Sequence, residues 1–150
     1  MKYDSTQDTL SHIRRVQFLV AEVCSNLFDR AIVHDTSKTQ EPEKAIFDEM
    51  TPKLKGSTYG SEKYKGFLTS MKVALDHHYE QNPHHPEHYE GGIKGMSLPD
   101  IMEMLCDWKA ATERHADGDL MESIEINQKR FGYSDELKGI LINTANEMGY

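Results

Sequence analysis

Five of the eight histidines crowd into the segment "HHYEQNPHHPEH", residues 77 to 88, and a sixth stands beside an aspartate in "VHDTSK", residues 33 to 38. His12 lies upstream and Asp107 downstream, in "CDW". Imidazole nitrogen and carboxylate oxygen are the donors that Mn, Fe, Co, Ni and Zn accept, whereas thiolate-rich sets mark zinc fingers or iron–sulfur sites. The chemistry to expect is therefore that of a divalent transition metal. Lys38 follows Asp35 by three residues, which on a helix puts the two on nearly the same face and offers a point charge to a phosphate. The alternative partner for Lys38 is Glu41, three residues further on.

Helical elements must carry these groups. Leu10, Ile13, Val16, Leu19, Val20, Val23 and Leu27 recur at three- and four-residue steps and predict an amphipathic helix over about Asp8 to Phe28. His12 shares the face of Val16, Leu19 and Val23 and is expected to point inward, either to a metal or to a backbone carbonyl. Ser37 and Thr39 are expected to cap a helix running to about Leu54 through Ala45, Ile46, Phe47 and Met50. Ser61 opens a further helix in which Tyr64, Phe67, Leu68, Met71, Leu75 and His78 form one stripe, so His78 falls on the apolar side.

The prolines and glycines of "NPHHPEHYEGGIKGMS" predict a loop, and Ser97-Leu98-Pro99-Asp100 carries a capping box for the next helix. That helix runs to about His115, with Ile101, Leu105, Trp108 and Ala111 or Thr112 inward. Asp100, Glu103, Asp107 and Arg114 share another face, which a charged set ordinarily turns to solvent. Leu120, Ile124 and Phe131 mark a following core face, and Ser134 caps a last helix bearing Leu137, Ile140, Leu141 and Met148. The pattern predicts an all-α fold, a compact single-domain bundle of five to seven helices over residues 1–150.

Composition narrows the partners. The net charge of −8 and the lack of basic runs argue against a surface for long nucleic acid. No apolar run reaches the ~20 residues of a membrane span, and "MKYDSTQDTL" lacks a signal-peptide core, so a soluble, cytoplasmic protein is expected. Cys24 and Cys106 sit in apolar helical patterns and are expected to be reduced core residues.

A histidine, then an adjacent His-Asp, then further histidines and a distant aspartate, on an inferred helical bundle, resembles the HD-domain superfamily of metal-dependent phosphohydrolases. "RAIVHDTSK", "HHYEQNPHHPEHY" and "MLCDWKAA" look most like small phage and bacterial HD-like proteins, which would place the chain in a host cytoplasm if phage-encoded. The resemblance implies that His12, His34, Asp35 and Asp107 hold one metal. Binuclear relatives add two histidines and hold a second metal with the Asp bridging. Here His77 or His78 matches the first and His84, His85 or His88 the second. The apolar face favours His78, and His85 is taken as its companion. The gap between them is shorter than in those relatives, and the segment could instead cap neighbouring helices through its imidazoles and Glu87.

The expected activity is hydrolysis of a phosphoester or phosphoanhydride in a small nucleotide or dinucleotide by metal-activated water. Asp35 would serve catalysis as a metal ligand, Lys38 would steady the phosphate, Glu87 or a loop histidine would move protons, and Lys109 and Arg114 would contact phosphate if they are not simply surface charges. The HDxxK string also occurs in the superfamily's di-iron oxygenases, which act on small polyols or phosphonates. A metal-stabilised nucleotide- or protein-binding module is the non-enzymatic expectation, and a homodimer is the expected assembly.

Overall fold

The computed structural model describes residues 3–55, 62–114 and 118–150. They form seven α-helices, three short 3-10 helices and no strand, as an all-α fold requires. No described helix is long and apolar enough to cross a membrane. The chain divides into two compact units, Met1–His34 and Asp35–Tyr150.

The first unit is one helix, α1, Thr6–Val33. It outruns the predicted end at Phe28 because nothing in "DRAIV" breaks a helix. Its apolar stripe of Leu10, Ile13, Val16, Leu19 and Val23 is present along one face. A unit made of a single helix has no second layer of its own to bury a stripe against. His12 stands on this helix, one turn before Val16. Cys24 on this helix and Cys106 in the second unit are exposed free thiols, not core residues.

The helix ends as His34 adopts an extended backbone (φ −48°, ψ 126°) and Asp35 turns into the left-handed region (φ 56°, ψ 13°). Asp and Asn tolerate that conformation better than other side chains. Thr36–Thr39 then form a 3-10 turn closed by the Lys38 N–H on the Asp35 carbonyl. Ser37 and Thr39 are therefore not caps of a long helix. Thr39 Oγ1 bonds locally to the Thr36 carbonyl, which stabilises a turn in place of an α-helical start, and Ser37 Oγ reaches instead to His78 Nδ1 at 3.1 Å and accepts from Asn82 Nδ2 at 2.9 Å.

Helix α2, Glu43–Lys55, begins after Pro42. The stripe predicted from Ser61 to His78 is two helices, α3 (Glu62–Ser70) and α4 (Lys72–Gln81), broken at the buried Met71. Ser61 lies outside the described residues, as does the side chain of Tyr64. At the break the Met71 N–H is shared between the Phe67 and Leu68 carbonyls, and Ser70 Oγ bonds back to the Gly66 carbonyl. Such three-centre and back-bonded contacts are how helix ends tighten and bend.

The histidine-rich segment is a loop, as its prolines and glycines predict, with 3-10 turns at Pro86–His88 and Gly92–Gly95. Its middle is braced in two directions. His88 Nδ1 donates to the Tyr79 carbonyl at 2.8 Å, and the Tyr89 hydroxyl donates to Asp100 Oδ2 at 2.9 Å. A Cβ at position 95 would stand 2.7 Å from Tyr89 Cβ, so only glycine lets the loop close on that ring. The capping box is formed: Asp100 accepts from the Ser97 N–H at 2.7 Å and Ser97 Oγ accepts from the Asp100 N–H at 3.3 Å.

That cap starts α5, Leu98–Thr112, which packs with α6, Leu120–Phe131, and α7, Asp135–Met148. His115, where α5 was expected to end, lies outside the described residues. Asp119 and Ser134 cap α6 and α7, and Gly132 takes the left-handed position between them at φ 66°. Leu105, Leu120, Ile124, Tyr133, Leu141 and Ala145 form the apolar core, with Ile101, Trp108, Phe131 and Leu137 packed against it. Trp108 stacks on Phe131, ring centroids 6.4 Å apart. Ile140 and Met148 are exposed after all, because α7 buries the line through Leu137, Leu141 and Ala145.

Candidate metal centre

Asp35, His78, His84 and His85, all in the second unit, each bring one ligand atom within 4.8 Å of the others. Three local structures deliver them. The left-handed turn presents Asp35, the last turn of α4 presents His78, and the proline-braced loop presents His84 and His85. Asp35 Oδ1 lies 3.2 Å from His78 Nε2 and 3.4 Å from His84 Nε2, while His78 Nε2 and His85 Nε2 face each other at 2.9 Å. His78 and His84 are almost wholly buried. The far side of each ring is tied to a carboxylate: His78 Nδ1 to Glu43 Oε2 at 3.0 Å, and His84 Nδ1 to Glu103 Oε1 at 3.0 Å.

This arrangement concentrates electron-rich atoms. Three imidazole nitrogens and a carboxylate oxygen converge in a small buried space, an arrangement that a metal ion stabilises. Nδ1 of a metal-ligating histidine is commonly held by a carboxylate in this way, which leaves Nε2 to the metal. The donor set is nitrogen and oxygen without sulfur, which suits Mn, Fe, Co, Ni or Zn. Burial alone would raise the Asp35 carboxyl, but the imidazoles of His78 and His84 and the Lys38 ammonium outweigh it and hold the group well below the usual carboxylate range. Burial, reinforced by the neighbouring His84 and His78, pushes His85 down to about 3, so it stays a neutral imidazole at physiological pH. Deprotonated ligands are what metal binding requires.

The sequence expectations divide around this cluster. Asp35, His78 and His85 converge as expected, and His84, an alternative to His85, joins beside it. His77 contacts Glu43 instead, at 2.7 Å, and His88 braces the loop. An oxygen of Asp107 lies within 4.8 Å of one of Asp35, so the "CDW" aspartate borders the cluster. His34 is the half-buried last residue of the first unit, and His12 belongs to that unit as well.

Lys38 binds Asp35 Oδ2 at 2.5 Å and sits over the Phe47 ring, 5.6 Å from its centroid. Its ammonium is thus at the cluster's edge, on the carboxylate oxygen opposite the imidazoles. Glu87, expected to move protons, is engaged by Arg130 at 2.7 Å. Lys109, half-buried, pairs with Glu113 at 2.9 Å and lies over Tyr150, and Arg114 is exposed past the end of α5.

Glu43 and Glu103 are the residues that sequence reasoning missed. Glu43 is completely buried on the stripe of α2 that continues through Phe47 to the buried Met50. An acidic residue on an apolar stripe is a readable signal. Glu103 belongs to the acidic face of α5, which was expected to be solvated; Asp100 is buried and Glu103 and Asp107 are half-buried, because this face turns toward the histidine loop and bonds to it.

No curated protein and no solved structure matches this sequence. One family does, described as a family of unknown function (DUF5662) and matched over residues 1–147, and the chain belongs to it.

Proposed function

We infer that the protein is a metal-dependent phosphohydrolase of HD type acting on a small phosphate compound, a nucleotide or dinucleotide. The single observation that carries this reading is the convergence of His78 and His84 Nε2 on Asp35 with His85 beside them, two of the rings being held from behind by Glu43 and Glu103. Asp35, His78, His84 and His85 would hold the ion, and Asp107 stands close enough to Asp35 to extend the set toward a second one. A bound divalent ion supplies Lewis acidity to a phosphoryl oxygen and lowers the pKa of its water from 15.7 toward about 7.

The chain's own residues do the rest. His85 stays neutral, so it does not compete for its own lone pair with a proton. Lys38, the cation held on Asp35, offers an ammonium to a substrate phosphate, and Phe47 beneath it limits where that ammonium reaches. The acidic surface is compatible with an anionic substrate because a bound ion reverses the local sign.

The test is elemental analysis of freshly purified protein, paired with a phosphate-release screen of nucleoside mono-, di- and triphosphates and dinucleotides with Mn, Co, Ni or Mg. Metal together with phosphate release is the expected result. Two irons with oxygen consumption and no phosphate release would replace hydrolysis with the oxygenase chemistry that the same donor set suits. Metal with tight ligand retention and no turnover would make it a binding module, and no metal under any condition would overturn the reading.

A further inference from the structure

Glu43 is a buried acid with two partners and no solvent, so its position needs a cause. It is the first residue of α2, where the positive end of the helix dipole favours a carboxylate. Its Oε1 meets His77 Nδ1 at 2.7 Å and its Oε2 meets His78 Nδ1 at 3.0 Å. An ionised carboxylate only accepts, so both contacts require a hydrogen on Nδ1.

Asn82 agrees with that assignment. Its amide nitrogen lies 3.0 Å from His78 Nδ1, but the two hydrogens it owns go to the His78 carbonyl at 2.7 Å and to Ser37 Oγ at 2.9 Å. None remains for the ring. The Ser37 hydroxyl also stands near Nδ1, at 3.1 Å, but the charged Glu43 carboxylate at 3.0 Å is the stronger acceptor, so a neutral His78 carries its hydrogen on Nδ1 and its lone pair on Nε2, the atom 3.2 Å from Asp35 Oδ1.

We propose that Glu43 is a positioning residue for the metal centre: clamped by His77 on one oxygen, it uses the other to hold the His78 ring in place as the Nδ1–H tautomer, with Nε2 bare toward the ion. This rests on the metal reading above and names a residue that acts through a ligand, not on the substrate. His77, adjacent to His78 in sequence but absent from the ligand cluster, acquires a role as the outer clamp. Partners of this kind are worth 10–100-fold in metal affinity.

The experiment is a Co(II) titration of the full chain, wild type and Glu43→Gln, followed by visible absorption. It is combined with long-range ¹H–¹⁵N NMR of the metal-free wild type at a pH where its imidazoles are neutral. Glu43→Gln is expected to bind Co(II) about 10–100-fold more weakly with an altered d–d band, and wild-type His78 to report the Nδ1–H tautomer. Wild-type affinity and an unchanged band in Glu43→Gln overturn the proposal while leaving the metal centre standing. Failure of the wild type to bind Co(II) overturns the metal reading and this role with it. If Glu43→Gln does not fold, the NMR decides alone, and an Nε2–H tautomer for His78 refutes the clamp.

Discussion

The second unit buries two interiors of opposite character. Between α5, α6 and α7 lies an apolar cluster, and the hydroxyl of its Tyr133 is satisfied by donating to the Ile124 carbonyl at 2.7 Å. Between α2, α4 and the histidine loop the buried side chains include Glu43, His78, Asn82 and His84. The first interior stabilises by removing hydrocarbon from water. The second removes charge and dipoles from water, which costs free energy unless every group is paired, and it gains most when a cation enters. Stability and ion binding are thus assigned to different parts of one small unit.

That division can be broken most severely at Asp35. Asp35→Asn keeps the shape and removes the charge, and it should weaken metal binding by at least about 100-fold and abolish turnover with little loss of helix, as elemental analysis and circular dichroism would register. Stoichiometric metal in this variant would mean that the polar interior is not the ion site. Ile124→Ala is the converse. It should cost about 2–5 kcal/mol in urea unfolding, the usual range for emptying a packed site, while metal content of the folded protein stays the same.

Stripping the metal from wild type should come next in size. Loss of an ion present at about 100 times its Kd removes about 2.7 kcal/mol, or about 5–10 °C in Tm for a chain of this length. The stripped protein should then be acid-sensitive. His85 titrates near 3 when folded and at an ordinary imidazole value when unfolded, so the unfolded chain takes up the proton first as pH falls. Asp35, also depressed, acts in the same direction, binding its proton more readily unfolded. Stability should be full above about pH 6.5 and decline toward pH 3. A flat pH profile of urea midpoints would contradict the burial of these groups.

Tyr133→Phe should have the smallest effect, about 1 kcal/mol, from one lost hydrogen bond to a carbonyl. Its alkaline signature sharpens the contrast. Burial pushes the wild-type hydroxyl up to about 12, so the folded state keeps its proton longer than the unfolded state does, and stability should fall between about pH 10 and 12. Tyr133→Phe should lack that decline in a denaturation series.

The apolar interior was the more legible of the two in sequence. Leu105, Leu120, Ile124 and Leu141 stand at helical spacing, and Ser97, Asp119, Gly132 and Ser134 mark the ends of their helices through local chemistry that needs no distant partner. The polar interior was legible only where residue type was unusual, as in the crowded histidines. Glu43 lies 34 residues before His77, and a pairing across that separation has no periodic signature. The acidic face of α5 misled for a related reason: spacing says which residues share a face, but what covers that face is decided by elements elsewhere in the chain. In α1 the stripe was read correctly, and periodicity there reports amphipathicity and not the identity of a partner.

The left-handed backbone at Asp35 has a consequence for mutational tolerance. Most side chains are strained there, and most also lack an oxygen to present to the imidazoles, so a saturation library would report position 35 as intolerant without saying which demand was failed. Glycine meets the backbone demand alone, and glutamate keeps the carboxylate at the expense of the backbone. Asparagine fits the turn and loses only the charge. Ranking these three substitutions by folding yield and by metal content would therefore separate the two constraints at a single codon.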